Sequence, residues 1–442
     1  MKDILLINTP ILRNSRAPDS DISVPPVGIG YIYTQLALLG HECQFVDAVV
    51  KNLLPNEIIK MINQSDAKYI GLNIFSSNFG IIRFIVGKVK PPRRFFLGGP
   101  AVYTLISEIR TWKSNSSITI IDGEAEHILP KLIDNPTPSE KLADNVSIVR
   151  VTPNSPFFPS NIDLPLDRSI FENEPIQRPD LGLIESHLIA SRGCLYNCAF
   201  CTAATSVNPG IKPRYRSYES LAKEIETIRK LHPETNCIRV LDDLFLRNQD
   251  SIDLAIRLFP RNNLYWRSMA HVNTFRDLHS SRLEDIKKSG CRELFIGIES
   301  GNDETLKHIR KPFSSNTAYD TVSRILDAQI SVKCYFVLGF PGETKPQLKD
   351  TIALASRLRD SANKRGVQFR ISPFRFRPYH GTVLYDELLK KGQPIIEIMN
   401  RIDMADTSSY NPYDCVAGIY AEYDENTLNK YMNEMEKLNV YN

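Results

Sequence analysis

The chain has 442 residues, 42% hydrophobic and 24% charged, with 54 basic against 51 acidic side chains and a net charge of +3. That balance excludes a polybasic binder holding nucleic acid or an anionic membrane by its general field. Eight cysteines are too few for a secreted disulfide scaffold.

The apolar run Ile4-Leu5-Leu6-Ile7 is too short for the core of a signal peptide. No window reaches the roughly 18 apolar residues of a membrane span. A cytoplasmic protein is expected, in which thiols stay reduced and clustered cysteines read as metal or redox sites.

In chain order, strands are predicted at 4–8, 43–47, 69–74, 94–97 and 118–121, with helices at 27–39, 57–63, 81–88 and 126–133. Gly40 suits the end of the first helix. The alternation over 1–135 predicts an α/β domain with a doubly wound parallel sheet, its ligand crevice beyond the C-terminal strand ends. Asn8, Ser76, Ser77, Asn78, Gly98, Gly99, Gly123 and Glu124 stand at those ends. Residues 136–184 are rich in Pro, Asn, Ser and Asp and read as an irregular surface connector.

Alternation resumes over 185–390, with strands at 187–191, 237–241, 264–270, 293–298, 332–338 and 369–374. The helices between them fall at 218–231, 249–258, 277–289, 315–328 and 345–362. Six strands so spaced predict a partial parallel barrel with its active site at the C-terminal strand ends. The segment 391–442 reads as a polar tail whose last helix, 425–438, takes Asp424 as its N-cap and covers a surface.

The sharpest feature is Gly193-Cys194-Leu195-Tyr196-Asn197-Cys198-Ala199-Phe200-Cys201, just past the first barrel strand. Three thiolates so close can converge on one iron–sulfur cluster. A structural zinc site wants four protein ligands, and the next cysteine is only at Cys237. A three-ligand cluster leaves one iron open to a small molecule.

With its aromatic residue before the last cysteine, this loop resembles that of the radical SAM superfamily. The resemblance implies a 4Fe–4S cluster on Cys194, Cys198 and Cys201, whose open iron chelates S-adenosylmethionine (SAM). One electron then cleaves the sulfonium and releases a 5′-deoxyadenosyl radical. Further segments match the family in order. Leu241-Asp242-Asp243-Leu244-Phe245 resembles a strand end facing the methionine moiety. Gly297-Ile298-Glu299-Ser300-Gly301 resembles a strand whose Glu meets the ribose. Gly339-Phe340-Pro341-Gly342-Glu343-Thr344 resembles a turn packing against adenine. The implied SAM contacts are Phe200, Asp242, Asp243, Glu299, Ser300, Gly339 and Arg375. Tyr379 and His380, after the last strand, are candidate acids, bases or hydrogen-atom donors.

The first domain resembles the cobalamin-binding domain that precedes the barrel in one large radical SAM subfamily. The resemblance rests on Pro25-Pro26-Val27-Gly28-Ile29-Gly30-Tyr31, Leu39-Gly40-His41-Glu42, Leu97-Gly98-Gly99-Pro100 and Asp122-Gly123-Glu124-Ala125-Glu126. The Asp-x-His-x-x-Gly signature of cobalt-ligating domains is absent; Asp47-Ala48-Val49-Val50-Lys51-Asn52 stands in its place. The implied cofactors are thus the cluster, SAM and cobalamin. The implied partners are a small-molecule substrate and an electron donor such as flavodoxin or ferredoxin, with no membrane or nucleic acid. The implied reaction is cobalamin-dependent methylation of a small biosynthetic intermediate. The alternative is a cobalamin-independent dehydration, deoxygenation, rearrangement or cyclisation beside a degenerate first domain.

The other residues carry blander expectations. Cys43, Cys237, Cys291 and Cys334 read as small packing residues. Cys415 is a lesser candidate for hydrogen-atom donor. His41 and His127 suit surface or capping roles rather than cobalt ligation. Arg375 and Arg377 share one face of the last strand, and Arg370 takes the other. Arg375 is expected to point into the barrel; Arg267 is open between inward and outward.

Overall fold

The computed structural model describes residues 2–10, 24–135, 140–159, 161–393 and 418–439. Two seven-stranded sheets organise it. The first runs β2-β1-β3-β4-β5-β7-β6, from β1 (Ile4–Asn8), β2 (Cys43–Asp47), β3 (Tyr69–Asn73), β4 (Arg94–Gly98), β5 (Ser117–Gly123), β6 (Glu140–Ala143) and β7 (Val146–Val151). All pairs are parallel except β6 with β7. Near-continuous apolar runs such as Ile4–Ile7 mark strands covered on both faces, and those four side chains are buried. The order reverses between β1 and β3, and such a switch point opens a crevice at the strand ends.

The second sheet runs β16-β15-β14-β13-β12-β9-β8. Its strands are β8 (Ile176–Arg178), β9 (Leu183–Leu188), β12 (Cys237–Val240), β13 (Tyr265–Ala270), β14 (Cys291–Glu299), β15 (Ser331–Leu338) and β16 (Phe369–Arg375). A short antiparallel pair, β10 (Ser191–Arg192) and β11 (Arg214–Tyr215), stands apart. The second sheet curls far enough that Arg370 on β16 reaches Asp180, just beyond β8, at 3.1 Å. Its β16 edge is blunted by the C-terminal segment. The Asn439 amide accepts from Ile371 N–H at 2.7 Å and donates to the Ile371 carbonyl at 2.7 Å, as a neighbouring strand would.

Several expectations need correction. The stretch 136–184 is not one irregular connector, because 140–143 and 146–151 extend the first sheet as β6 and β7. Val146, Ile148, Val149 and Val151 are buried there, and only the flanking prolines masked the strand. The rest of that stretch is also not superficial: Leu164, Leu166 and Phe171 pack on Val27 and Tyr31. The first parallel barrel strand is Leu183–Leu188, earlier than 187–191, since buried Glu185 and His187 interrupt its apolar pattern. A helix at Val102–Ile109 follows Gly98-Gly99-Pro100, where none was expected. The expected helix 277–289 is found at Ser280–Lys288, and a separate short helix, Val272–Arg276, precedes it where none was expected. The final helix runs Glu425–Lys437, with Asp424 accepting from Thr427 N–H at 2.8 Å. Among the described residues, no helix is long and apolar enough to cross a membrane.

Candidate active site

The cysteine loop leaves the C-terminal end of β9. Gly193, at φ +90°, turns the chain out of β10. The loop closes on itself through Cys201 N–H to the Cys198 carbonyl at 3.2 Å and Thr205 N–H to the Tyr196 carbonyl at 3.1 Å. Two main-chain bonds at 3.0 Å then strap it to the barrel: Ala199 N–H to the Ile309 carbonyl, and Leu384 N–H to the Ala199 carbonyl. Cys194, Cys198 and Cys201 are partly exposed, whereas Cys237, Cys291 and Cys334 are buried in the core. Cys415 lies outside the described residues.

Burial pushes up the pKa of all three loop thiols, that of Cys201 to about 12. Main-chain N–H groups oppose this, from Tyr196 onto Cys194 and from Ala203 onto Cys201. Among the described residues, no three His, Cys, Asp or Glu side chains gather closely enough for one metal ion. A multi-iron cluster imposes no such gathering, because each thiolate takes a different iron. Three thiols with inward N–H donors and a neighbouring ammonium, that of Lys311, fit an anionic cluster.

The expected SAM contacts fall into two groups. Asp243 is exposed beside the loop and acts on the Cys194 and Cys201 thiols. Phe200 tilts against Phe340 with ring centroids 5.5 Å apart. Gly339, at φ +89°, leads its turn and gives its N–H to Glu343 at 2.7 Å. Glu299 is buried and lies 3.0 Å from Lys311 Nζ. The remaining three are occupied elsewhere. Both Asp242 oxygens are taken, one by Ala190 N–H at 2.8 Å and the other by the Ser191 hydroxyl. Buried Ser300 sits 3.1 Å from the Thr351 hydroxyl and accepts from Asn302 N–H at 3.2 Å. Arg375 corrects the expectation directly: it points out of the barrel to Asn429 and, at 3.3 Å, to Glu425 of the C-terminal helix. Its neighbours Phe369 and Ile371 are buried in the outer core, which sets that parity. Arg370 therefore faces inward, where Arg267 also lies, and both bind Glu293.

Tyr379 ends the strand connection in a turn, its carbonyl accepting from the Thr382 hydroxyl at 2.8 Å. His380 stands at the seam with the first domain. Its N–H reaches Ser76 Oγ at 3.3 Å, and its ring packs between Phe79 and Tyr385. Burial lowers its pKa to about 4, so it is neutral at physiological pH.

At the switch point of the first sheet lies a slot of about 470 Å³. Leu6, Phe96 and Ile121 line one wall and Ile29 and Ile32 of the helix Val27–Leu38 the other. Asn8, Gly98, Gly99, Gly123 and Glu124 line it, as expected of crevice residues. Ser76, Ser77 and Asn78 do not. The Asn78 side chain is spent internally, accepting from Phe75 N–H at 2.7 Å and donating to Thr9 Oγ1 at 2.6 Å. A Cβ added at Gly28 or Gly98 would meet only open space, so the slot is kept clear. An apolar slot of this kind, with glycine strand ends at its mouth, suits one part of a bulky cofactor such as cobalamin, the rest lying outside it.

Several residues not singled out from sequence complete the site. Arg192, two residues before Cys194, reaches Glu124 at 3.0 Å and Glu126 at 2.7 Å across the slot. Arg247 donates to Ser191 and stacks on Tyr215. His271 stacks on Tyr196 of the loop at 3.8 Å, and burial, followed by Lys311, lowers its pKa to about 3. Each acts through a contact distant in sequence.

The profile of the Radical SAM superfamily matches residues 188–355. An uncharacterized methyltransferase of Pyrococcus horikoshii is 26% identical over 386 residues, covering 82% of this chain and 78% of its own length. Among solved structures, the radical S-adenosylmethionine methyltransferase TsrM of Kitasatospora setae, with tryptophan and a SAM analogue bound, superposes with a TM-score of 0.62. It is 15% identical, and the match covers 88% of this chain and 76% of TsrM. The cobalamin-dependent radical enzyme OxsB, with aqua-cobalamin bound, gives 0.59 at 17% identity, covering 92% of this chain and 63% of OxsB. These structures share the two-domain fold described above.

Proposed function

We propose that this chain is a radical SAM enzyme that methylates an unactivated carbon of a small molecule with cobalamin as methyl carrier. In this reading Cys194, Cys198 and Cys201 ligate a 4Fe–4S cluster. Phe200, Asp243, Glu299 and Gly339 border SAM, and the slot behind Asn8, Gly98 and Gly123 takes the corrin. When bound, the cluster supplies the electron that opens SAM to a hydrogen-abstracting radical, and cobalamin supplies the methyl group. The chain's own residues orient and enclose. Asp242 fixes the root of the cysteine loop, and the apolar walls of the slot exclude water. His380 stays neutral at the seam between the two domains. The electron comes from an external donor such as flavodoxin or ferredoxin.

One observation carries this reading above the others. Arg192 joins the cysteine loop to Glu124 and Glu126 at the slot, so the two cofactor regions share a single ion cluster. A cobalamin-free elimination or rearrangement is the second reading, favoured by the turn after β2. Asp47 accepts there from Val49 N–H at 2.9 Å and Val50 N–H at 3.2 Å, and no histidine stands beside it to ligate cobalt.

The test is anaerobic reconstitution with iron and sulfide, then incubation with SAM, a reductant and hydroxocobalamin. 5′-Deoxyadenosine should form, and Cys198→Ala should abolish both it and the cluster absorbance. Stoichiometric cobalamin retained through gel filtration supports the first reading; loss of cobalamin with SAM cleavage intact supports the second. Tetrahedral zinc with no SAM cleavage overturns both.

A further inference from the structure

We propose that Lys311, held in place by Glu299, is the fixed cation that raises the reduction potential of the cluster on Cys194, Cys198 and Cys201. The inference rests on the cluster assignment above and gives Lys311 and Glu299 a role that the ribose contact does not require.

The geometry begins in β14. Its register against β15 slips between Gly297 and Glu299, and Glu299 takes φ +70°, a left-handed backbone rare for a residue with a side chain. Backbone in that region costs on the order of 1–3 kcal/mol and persists where its surroundings enforce it. The slip turns the carboxylate back along its own strand, over Gly297. A Cβ at Gly297 would collide with Glu299 Oε1 and stand 3.3 Å from Lys311 Nζ, so only glycine leaves room for the pair.

Lys311 arrives from the other side. Arg310, at φ +61°, ends the helix Asp303–His308 and swings Lys311 inward. The ammonium lies 3.0 Å from Glu299 Oε1, 3.0 Å from the Gly297 carbonyl and 5.8 Å from the ring centre of Phe200, between Cys198 and Cys201 in the chain. The same segment holds the loop main chain through the bond from Ala199 N–H to the Ile309 carbonyl. Its side chain is only 6% exposed. Burial works against its charge, but Glu299 and then Cys198 hold its pKa above that of an ordinary lysine.

A buried ion pair this close to three thiolates has an electrostatic consequence. The ammonium stands 5.8 Å from the ring of Phe200 in the loop while the Glu299 carboxylate folds back over Gly297, so the pair presents its positive end to the loop. Reduction adds one negative charge to a cluster, and a nearby cation stabilises that charge most where water is excluded. Lys311 is a positioning residue in the redox sense: it sets how readily an external donor can load the electron.

The experiment is a mediated redox titration of the reconstituted protein, followed by the electron paramagnetic resonance of the reduced cluster. Lys311→Met should lower the reduced-to-oxidised ratio at a fixed potential about tenfold, which is about 59 mV for one electron. Lys311→Arg should stay near the unaltered protein. Glu299→Gln should move the midpoint the opposite way, upward, because it leaves the ammonium uncompensated. A merely structural pair would shift both variants alike or neither, and either result overturns the proposal. If Lys311→Met holds no iron, Glu299→Gln decides alone: a rise supports the proposal, and a fall or no change overturns it. If the unaltered protein forms no cluster, the family reading fails; a cluster whose potential ignores these charges defeats only this inference.

Discussion

The Asp242 carboxylate accepts from Ala190 N–H at 2.8 Å and also from the Ser191 hydroxyl, tying the end of β12 to the root of the cysteine loop. Burial raises its pKa to about 6 despite these bonds. Asp242→Ala leaves both donors without their acceptor, and hydrogen bonds to a charged partner are worth about 1.5–3 kcal/mol. The variant should lose about that much in urea unfolding and retain less iron after reconstitution. Asp242→Asn keeps an acceptor oxygen and should stay within about 1 kcal/mol at pH 8. The folded pKa lies above the unfolded value of about 3.9, so this group's contribution is complete below that value and is lost as pH rises through 6. The unaltered protein should therefore gain on Asp242→Asn as pH falls from 6 to 4.

Inside the barrel, Glu293 bridges two strands. It accepts from Arg267 Nε at 3.0 Å and from Arg370 Nε at 2.7 Å. Burial would raise its pKa, but the two guanidiniums override it and hold the carboxyl down to about 2. A depressed folded pKa contributes stability above the unfolded value of about 4.3, and that stability is lost as pH falls towards 2. Breaking a buried pair from one side costs about 3–5 kcal/mol, because the partner charges remain buried. Glu293→Gln should lower the free energy of urea unfolding by that much at pH 7 and by much less at pH 2.5. The fluorescence of Trp266, buried in the same barrel, reads it.

What the sequence discloses depends on the range of the interaction. The strands β1 to β5 are legible because a doubly covered parallel strand is an apolar run whatever its neighbours. The cysteine loop is legible because its three cysteines lie within one short segment. The face of β16 is not: period two says that Arg370 and Arg375 point oppositely, but only the outer packing of Phe369 and Ile371 says which is inside. Lys311 is invisible for the same reason, since its partners Gly297 and Glu299 come from another element. The strand β7 hides because its pairing with β5 is non-local and its flanks are prolines.

The correction at Arg375 has its own consequence. Its contacts are Glu425 and Asn429 of the C-terminal helix, whose Leu428 lies against Gly339. Arg375→Ala should loosen that helix by about 1–2 kcal/mol, the loss of partly exposed charged hydrogen bonds. Hydrogen exchange should rise across 425–437. Equilibrium SAM affinity, measured by calorimetry on the reconstituted protein, should change less than about threefold. A hundredfold loss with an unchanged exchange pattern would return Arg375 to the SAM site.

The two glycines that end β4 separate folding from ligand capacity. Gly99 sits at φ +116°, and a Cβ there would stand 2.7 Å from the Ile74 carbonyl oxygen and 2.9 Å from its nitrogen. Both are backbone atoms of the chain leaving β3, and Ile74 N–H is itself bonded to the Gly98 carbonyl at 2.7 Å. Neither can yield without parting the strands, so Gly99→Ala should cost more than about 2 kcal/mol. Gly98 has no such constraint; a Cβ there meets nothing within 4 Å and enters the slot. Gly98→Leu should therefore fold with a melting temperature near that of the unaltered protein. It should still hold its cluster and cleave SAM, because the cysteine loop lies on the other domain. Cobalamin retained after gel filtration should fall at least tenfold, since the new side chain fills the space between Ile29 and the sheet. Full retention would move the corrin out of this slot and leave the second reading the stronger.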